Sequence, residues 1–595
     1  TSNPPHRLAI HRTDSSNPPH SSKISVQKIS GTGNEWTVHT VGESERRAFA
    51  GWINRMLEGD ADLRHLLPLG EADLFDKLSD GLVLCKLVNC AVPNTVHERA
   101  INKAELVGGS GGAAAGYRRH ENLVLAINSA ESIGCCVVNI GAKDISERRQ
   151  HIVLGLLWQI IRIGLVKDIT LAQHRELAAL LLPGETVEEL RQLSPEDLLL
   201  RWVNHQLDRA GCAKRLRNFR EDIEDCEAYA YLLPQVAPAQ RRRDLIPAGQ
   251  VLALPSSDRL ERARLVLGNA AKLDAAVFVQ PEDVAGASEA GRNREKLNLA
   301  FVANLFNHYP AMDSNVNGGN GTDGAFEEFD NQESLEERTY RNWMNSLGMN
   351  PYVKDLYSDL RNGLILLSLL DIIRPGVAPW SKVCRQFAPA AGRRLFQWQA
   401  NCNYVVDSAR AAGLPMTNIG AEDIRDGDRK LTLALAFQLL RAYTLGLLAR
   451  LRCGSDGGDS GERQQRIEEQ QILEWANSRL HSAGKRRRLA GFKVVEEGAD
   501  PSIADGLVIL DLLDAIKPRR INWAAAEAAV DPLDRARYIL SAARMLGARI
   551  FTLPEHVVQV NKNMMMTLFA CLMVLDLQLK PAAAWQLIRL LMNLI

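Results

Sequence analysis

The chain has 595 residues, of which 24% are charged and 46% belong to the hydrophobic set, a mixture typical of globular proteins. Its 71 basic and 71 acidic side chains cancel, which argues against a general nucleic-acid binder, since such proteins carry a basic excess. The 10 cysteines show no zinc-ligand spacing and no secretory signal opens the chain, so a reducing cytoplasm is the expected compartment.

The predicted helices begin after an N-terminal segment. Residues 1–44 are rich in Ser, Pro, His and Thr, a composition that predicts a disordered segment. The first helix then shows an apolar stripe at helical spacing, formed by Phe49, Trp52, Ile53, Met56 and Leu57. An apolar segment behind Asp80-Gly81 ends before Pro93, because proline disfavours helical geometry in the preceding residue. A helix over Ile152–Ile163 is apolar almost all round, which predicts the centre of a bundle.

This layout occurs four times along the chain. The Trp-x-Asn triplets that open the units begin at Trp52, Trp202, Trp343 and Trp475. A fixed pair follows in each unit, namely Asp80-Gly81, Asp225-Cys226, Asn362-Gly363 and Asp505-Gly506. A proline follows each pair at the same interval in all four units, at Pro93, Pro238, Pro375 and Pro518. A unit of roughly 110 to 120 residues is the size of an independent domain. No alternating strand pattern appears, so we predict four all-helical domains.

Composition also predicts the boundaries. We expect the four domains at 45–167, 194–311, 334–447 and 466–577. The acidic, glycine-rich residues 312–333 divide the chain into two halves, and residues 453–463 form a second linker. An apolar tail covers 578–595, and its part after Pro581 is shorter than the roughly 20 residues that a membrane-spanning helix needs. The tail therefore either packs on the fourth unit or lies on a membrane surface.

Several stretches resemble the calponin-homology domains of the fimbrin family, whose members are also called plastins. WINRMLEGDADLRHLLPL, LFDKLSDGLVLCKLVN and HIVLGLLWQIIRIGL are similar to the first of these domains. LSPEDLLLRWVNHQL, ERTYRNWMNSLGMNP and ILEWANSRLHSAGK are similar to the second, third and fourth. The resemblance implies an all-α fold of four calponin-homology bundles, arranged as two tandem actin-binding pairs. It also implies a protein that cross-links actin filaments into tight bundles.

The resemblance further implies where actin binds. In similar tandem pairs, the actin-facing surface comes from the first and last helices of the leading domain and the first helix of the second. In the first half this implies the exposed faces of 46–58, 143–167 and 198–217. Exposed cations there would attract the acidic surface of actin, with an affinity that salt weakens. The candidates are Arg55, Lys143, Arg148, Arg149, Arg162, Lys167, Lys214 and Arg215 in the first half, and Arg341, Arg425, Arg429, Lys430, Arg441 and Arg479 in the second.

Besides the apolar tail, the sequence departs from the fimbrin pattern in three places. The residues before the first unit are too few for the EF-hand pair typical of fimbrins, so we expect this pair to be lacking. A loop that starts like a calcium site at Asp313 has Gly324 where a bidentate Glu is needed, so we predict no metal site and no cofactor. Residues 107–116 are glycine-rich without the Gly-Lys-Ser/Thr of a phosphate loop, which favours a flexible surface loop. His556 replaces an acidic residue of the other units, so that corner of the fourth unit is expected to be remodelled.

The expected partner is F-actin, with two filaments bridged by one cytoplasmic monomer, without nucleic acid and without stable membrane insertion. An alternative is an adaptor, in which one half binds actin and the other recruits a different partner. An enzyme is a third reading, but the sequence shows no paired carboxylates, nucleophile constellation or metal spacing, so we predict no enzymatic activity. Low-speed pelleting separates the first two functions, because an adaptor co-sediments with filaments without bundling them.

Overall fold

The structure is a computed structural model that describes residues 25–28, 38–103, 112–171, 173–286, 291–312, 333–388, 390–453, 469–492 and 501–579. Each of four successive domains is built on four main helices. The first helices are Glu43–Met56, Pro195–Arg209, Leu335–Ser346 and Glu469–Ser482. The second helices are Leu82–Ala91, Glu227–Val236, Leu364–Ile373 and Leu507–Ile516. The third helices are Ala113–Ser132, Arg259–Lys272, Ala391–Ala411 and Pro532–Leu546. The closing helices are Gln150–Val166, Gly291–His308, Arg429–Cys453 and Lys562–Leu579.

Short helices join these elements. In the first half they are Leu74–Leu78, Ala142–Ser146, Val187–Arg191, Ala239–Arg242, Ala248–Leu252 and Pro281–Ala285. In the second half they are Leu356–Asp359, Ala421–Asp426, Pro501–Ala504, Trp523–Glu527 and Pro554–Val558. Single 3-10 turns lie at Ala61–Leu63, Glu98–Ala100 and Arg175–Leu180. The prediction of four all-helical bundles is confirmed.

Two short strands precede the first domain. Ser25–Lys28 pairs antiparallel with Val38–Val41, and the second strand lies against the closing helix Gln150–Val166. The first helix already begins at Glu43. The prediction of a disordered segment over 1–44 is therefore wrong for these residues. Four-residue strands are too short to show an alternating pattern, and contact with the distant closing helix cannot be read from the local sequence.

The Trp-x-Asn triplets tie the core of each domain to one loop. Trp52, Trp202 and Trp343 are buried. Each triplet Asn exchanges two hydrogen bonds with the backbone of a single loop residue, and the four pairs are Asn54–Leu69, Asn204–Leu216, Asn345–Val353 and Asn477–Leu489. Backbone groups withdrawn from water need such partners. The repeated Asn therefore fastens a loop to the first helix in every domain.

The fixed pair starts the second helix. Its second member has a positive φ, which is 81° at Gly81 and 64° at Cys226, the non-glycine exception among the four. Glycine adopts this left-handed conformation without steric cost. A Cβ at Gly81 would also lie 2.6 Å from the backbone nitrogen of Leu123, so the third helix passes too close for a side chain. The Asp80 carboxylate accepts a hydrogen bond from the Leu82 N–H at 2.9 Å, which supports the first turn.

One side chain caps the short helix before each closing helix. In the first three domains it is Asp144, Asp283 or Asp423, and each accepts a hydrogen bond from a backbone N–H at 2.7–2.9 Å. In the fourth domain, Nδ1 of the buried His556 accepts the Leu553 N–H at 3.2 Å. The predicted remodelling of this corner is wrong, because a neutral imidazole nitrogen is also an acceptor. Burial lowers the pKa of His556, which keeps the ring neutral.

Several predicted segments fall partly outside the described residues. The glycine-rich loop expected over 107–116 is helical from Ala113 onward, which corrects that prediction, and 104–111 lie outside. The central parts of both linkers, the calcium-like loop and residues 580–595 of the tail also lie outside. Two closing-helix stretches, Arg429–Ala449 and Lys562–Leu579, are long and apolar enough to cross a membrane. They pack against each other as part of the domain cores.

The domains dock in pairs, and the pairs contact each other. In both halves, the closing helices of the two domains pack together. Between the halves, the third helix of the first domain packs along the third helix of the fourth, and the first helix of the third domain lies beside them. The connection between the first two domains also touches the third, since Arg191 pairs with Asp355 at 2.7 Å. The four domains therefore form one closed arrangement.

Candidate functional site

The predicted surface of the first half is organised by the contact between its two domains. The first helix packs on the closing helices of both domains. Lys296 of the second domain pairs with the buried Glu45 at 2.7 Å, and its ammonium lies 5.3 Å from the centre of the Trp158 ring. Asn307 donates a hydrogen bond to the carbonyl oxygen of Leu165 at 2.9 Å. These contacts fix the first helix of one domain against the other.

Two of the candidate cations lie in contacts between domains. Arg55 donates to the carbonyl oxygen of Asp274 in the second domain. Arg162 donates to Glu196 of the second domain at 2.9 Å, and its guanidinium lies 5.1 Å from the ring centre of Tyr352 in the third. Both side chains are therefore engaged by neighbouring domains in this conformation.

The edge from Lys143 to Arg149 reaches solvent. Arg148 pairs with Asp76 at 2.6 Å, and Arg149 pairs with Asp144 at 2.7 Å. Lys143 exposes 80% of its side chain and has Glu147 at 3.5 Å. An exposed cation that already has an acidic neighbour offers less charge to a partner. Lys143 is thus the least engaged cation on this edge.

The other three candidates of the first half also have acidic neighbours. Lys167 lies 4.0 Å from Asp168, at the upper limit of an ion pair. Lys214 pairs with Asp225 and Arg215 with Asp208, and both acids belong to the second domain itself. These last two pairs hold the segment after the first helix of that domain.

In the second half, four candidates make ion pairs. The partners lie at 2.5–3.0 Å, and the pairs are Arg341–Glu333, Arg425–Asp426, Arg429–Glu337 and Arg479–Asp576. Arg425 lowers the pKa of Asp426 through its hydrogen bond to that carboxylate. The guanidinium of Arg429 also lies 4.3 Å from the ring centre of Tyr357. Lys430 and Arg441 are exposed and have no ion pair within the part of the chain that the structure describes.

Arg64 is a further exposed cation that is not among the candidates named from the sequence. Arg64 borders, together with Arg55, a surface cavity of about 410 Å³ beside the first helix. It lies in the loop after that helix and therefore outside the segments carried over from the resemblance. Its loop is held close because Asn54 binds the backbone of Leu69. The repeated Asn is the sequence signal that could have placed this loop.

A second group of polar side chains joins the halves at the contact of the first and fourth domains. The backbone N–H of His97 donates to Ser541 Oγ at 2.9 Å, and the ring Nε2 of His97 lies 3.2 Å from Asp534. Arg520 of the fourth domain donates to Glu121 of the first at 3.2 Å and lies over the ring of Tyr117. The first and the fourth domain therefore each contribute a loop and the third helix to this contact.

The centre of this contact contains buried charges. Arg544 donates to the carbonyl oxygen of Thr95 at 3.1 Å, and burial lowers its pKa to about 10. Glu131 has Arg549 at 3.5 Å, and burial raises its pKa. Among the described residues, no group of three His, Cys, Asp or Glu side chains is placed to hold a metal ion.

Comparison with known proteins agrees with this architecture. The Calponin homology (CH) domain family matches residues 43–165, 193–311, 334–445 and 466–576. Plastin-3 of Bos taurus is 44% identical over 551 residues, which are 91% of this chain and 81% of that protein. Plastin-1 of Mus musculus is 43% identical over 92% of this chain and 83% of its own length. The crystal structure of the actin-crosslinking core of Schizosaccharomyces pombe fimbrin has a TM-score of 0.69 and 34% identity, covering 90% of this chain and 100% of that one. The chain is a member of the fimbrin and plastin family.

Proposed function

We propose that this protein binds actin filaments through each of its halves and cross-links them into tight bundles. One observation carries the proposal: two complete pairs of CH domains, each docked closing helix on closing helix, occur in one chain. The similar fimbrin core from Schizosaccharomyces pombe is described as actin-crosslinking. A single pair is sufficient for binding the side of a filament, whereas two pairs in one molecule bridge two filaments.

The bridging step follows from tethering. Once one half is bound, the other meets a neighbouring filament at a high effective concentration. Exposed cations on the predicted surfaces attract acidic actin, and Lys143, Lys430 and Arg441 are the least engaged by acids of the protein itself. The protein acts as a cytoplasmic monomer of the actin cytoskeleton and performs no enzymatic step.

Sedimentation of the separate halves tests this function. Fragments 45–311 and 334–580 are each mixed with filaments beside the full chain, after circular dichroism confirms that both fragments are helical. We expect both fragments to co-sediment at high speed and the full chain alone to pellet filaments at low speed. Bundling by the first fragment as a monomer contradicts the mechanism. Binding by one fragment alone favours the adaptor alternative.

A further inference from the structure

An apolar pair is exposed at the start of the third helix of the third domain. Phe396 exposes 76% of its surface and the adjacent Leu395 exposes 41%. Both lie in the first two turns of the helix Ala391–Ala411. Isolated apolar residues are common on protein surfaces, whereas these two adjacent side chains form a small contiguous apolar patch.

Two arginines directly precede this pair in the sequence. Arg393 is exposed and makes no ion pair within the described residues. The guanidinium of Arg394 lies 5.8 Å from the centre of the Trp398 ring, and it has one acidic neighbour, Glu189, at 3.6 Å. Stacking on an aromatic face leaves the charge of a guanidinium available to a further partner.

A third arginine is brought to the same end of the helix by the preceding loop. The Cys384 N–H donates to Asn401 at 2.9 Å, and the Ala388 N–H donates to Gln397 at 2.8 Å. These bonds hold the loop along the first half of the helix. Arg385, which lies between them, is exposed and stacks 5.0 Å from the centre of the Trp380 ring. The Phe396 patch is defined here as Leu395, Phe396, Arg385, Arg393 and Arg394.

In the first domain, the same place holds Tyr117, which is 59% exposed and has an arginine of the fourth domain over its ring. Phe396 precedes Gly413, at the end of its helix, by the same interval as Tyr117 precedes Gly134. Arg520 of the fourth domain lies over the Tyr117 ring at 5.2 Å. At the positions of Arg393 and Arg394, the first domain has Ala114 and Ala115. The first domain is therefore uncharged at two positions where the third domain is basic.

We propose that the Phe396 patch docks on the surface of an anionic phospholipid membrane. Phe396 and Leu395 enter the boundary between headgroups and acyl chains, while the arginines contact lipid phosphates. Aromatic and arginine side chains are typical of this boundary, because a ring accepts an environment that is apolar on one side and wet on the other. The contact is peripheral and leaves all four domains folded outside the bilayer.

Two other occupants fit the patch less well. A partner helix needs an apolar stripe along the helix it covers, but the next exposed positions here are Asn403, Asp407 and Arg410. A second copy of the chain would bring its own arginines against these arginines, and like charges across a contact oppose binding. Docking on an anionic surface requires only the projecting apolar pair and the neighbouring cations.

Vesicle sedimentation with the full chain tests the proposal. The probes are vesicles of phosphatidylcholine and vesicles of phosphatidylcholine mixed with an equal part of phosphatidylserine. We expect binding to the anionic vesicles alone, weakened by salt. Phe396→Glu should lower the partition coefficient at least about ten-fold, because it removes the ring that is buried on binding. Arg393→Ala should lower it about five-fold, the effect of one cation near an anionic surface.

The matched control is Val530→Glu in the fourth domain. Val530 precedes Gly547 by the interval that separates Phe396 from Gly413, lies just before the helix Pro532–Leu546, and exposes 84% of its surface. This variant should bind anionic vesicles like the unaltered protein, and all three variants should still bundle actin. Absence of binding by the unaltered protein overturns the proposal, as does equal binding to both kinds of vesicle. Equal binding by Phe396→Glu and Val530→Glu also overturns it and assigns the membrane contact to another part of the chain.

Discussion

The contact within the first half and the contact between the halves are built differently. Within the half, two closing helices pack together, the buried carboxylate of Glu45 meets Lys296, and Arg162 reaches Glu196. Between the halves, the contact depends on polar groups of the first and fourth domains, among them His97, Arg520 and Arg544. Contacts rich in polar groups resemble those of proteins that associate transiently. The comparison predicts that the two domains of a pair separate less readily than the two pairs do.

Buried charge explains the difference. Arg544 is buried, and its guanidinium donates hydrogen bonds to the carbonyl oxygens of Thr95 and Ile550. Burial raises the pKa of Glu131, which shows that ionising this carboxyl in the contact is costly. Removing a charge from water costs free energy that Coulomb attraction repays only when the partner geometry is good. The contact between the halves therefore carries the cost of burying Arg544 against neutral carbonyl oxygens, whereas Lys296 within the half has the carboxylate of Glu45.

Removing Glu45 should have the largest effect on this comparison. Glu45→Ala leaves Lys296 in the domain contact without its acid, and Lys296 is 24% exposed. Loss of one partner of a buried pair costs about 3–5 kcal/mol, which partial exposure reduces here to about 2–3 kcal/mol. Urea unfolding of the full chain should show this loss in the transition of the first half. Glu43→Ala, on an exposed part of the same helix, is the control, and equal shifts in both variants contradict the expectation.

Charge reversal in the fourth domain should open the halves without unfolding them. In Arg520→Glu with Arg549→Glu, the new acids face Glu121 and Glu131 of the first domain. Like charges placed across a contact oppose it, and we expect about 1–2 kcal/mol after solvent screening. Small-angle X-ray scattering should then give a larger radius of gyration with an unchanged melting temperature. Arg519→Glu, which is exposed nearby, should leave the radius unchanged. A compact double variant would mean that the contact does not depend on these pairs.

Acidity should affect the same contact to a smaller extent. The pKa of Glu131 is raised in the closed arrangement. Closing the molecule therefore takes up a proton at pH values between 4.5, the ordinary pKa of this carboxyl, and its raised pKa. The stabilisation is fully present below 4.5 and is lost as pH rises through the raised pKa. The radius of gyration should therefore increase with pH over this range. Glu131→Gln removes the titration, and an unchanged pH dependence in this variant would assign the effect to another group.

Surface charges outside both contacts should give the smallest structural effect. Lys143→Glu with Arg148→Glu is expected to leave the closed arrangement and the melting temperature unchanged, while weakening filament binding several-fold at low ionic strength. The effect should fade with added salt. Arg149 is kept, because it pairs with Asp144, the residue that caps the neighbouring short helix. Unchanged co-sedimentation at low salt would place the actin surface elsewhere.

The fold could be predicted from sequence because its rules are local and repeated. The Asp-Gly pair requires a left-handed residue before the second helix, and the Asn of each triplet binds a loop a short way further on. Such signals appear in the sequence four times. The strand Ser25–Lys28 gave no comparable signal, because it is short and is held by pairing with Val38–Val41, which in turn lies on a helix far along the chain.

The site was less predictable, because it depends on which acids come near each cation. The exposure of Lys143 follows from its place in a polar loop, whereas the pairing of Arg148 with Asp76 joins distant segments. Arg162 was expected on an open face, but the second and third domains both reach it. Contacts between domains arise from residues far apart in the sequence, and no local pattern records them.

His556 makes the stability of the fourth domain depend on acidity. Below its ordinary pKa of 6.5, an unfolded chain binds a proton that the buried ring resists, so the stability of the fourth domain is complete above 6.5 and declines as pH falls toward the lowered value. The matching Asp283 has a pKa raised by burial, so acid does not weaken the corner of the second domain in this way. On acidification, the capped corner of the fourth domain is therefore weakened, while the matching corner of the second domain is not.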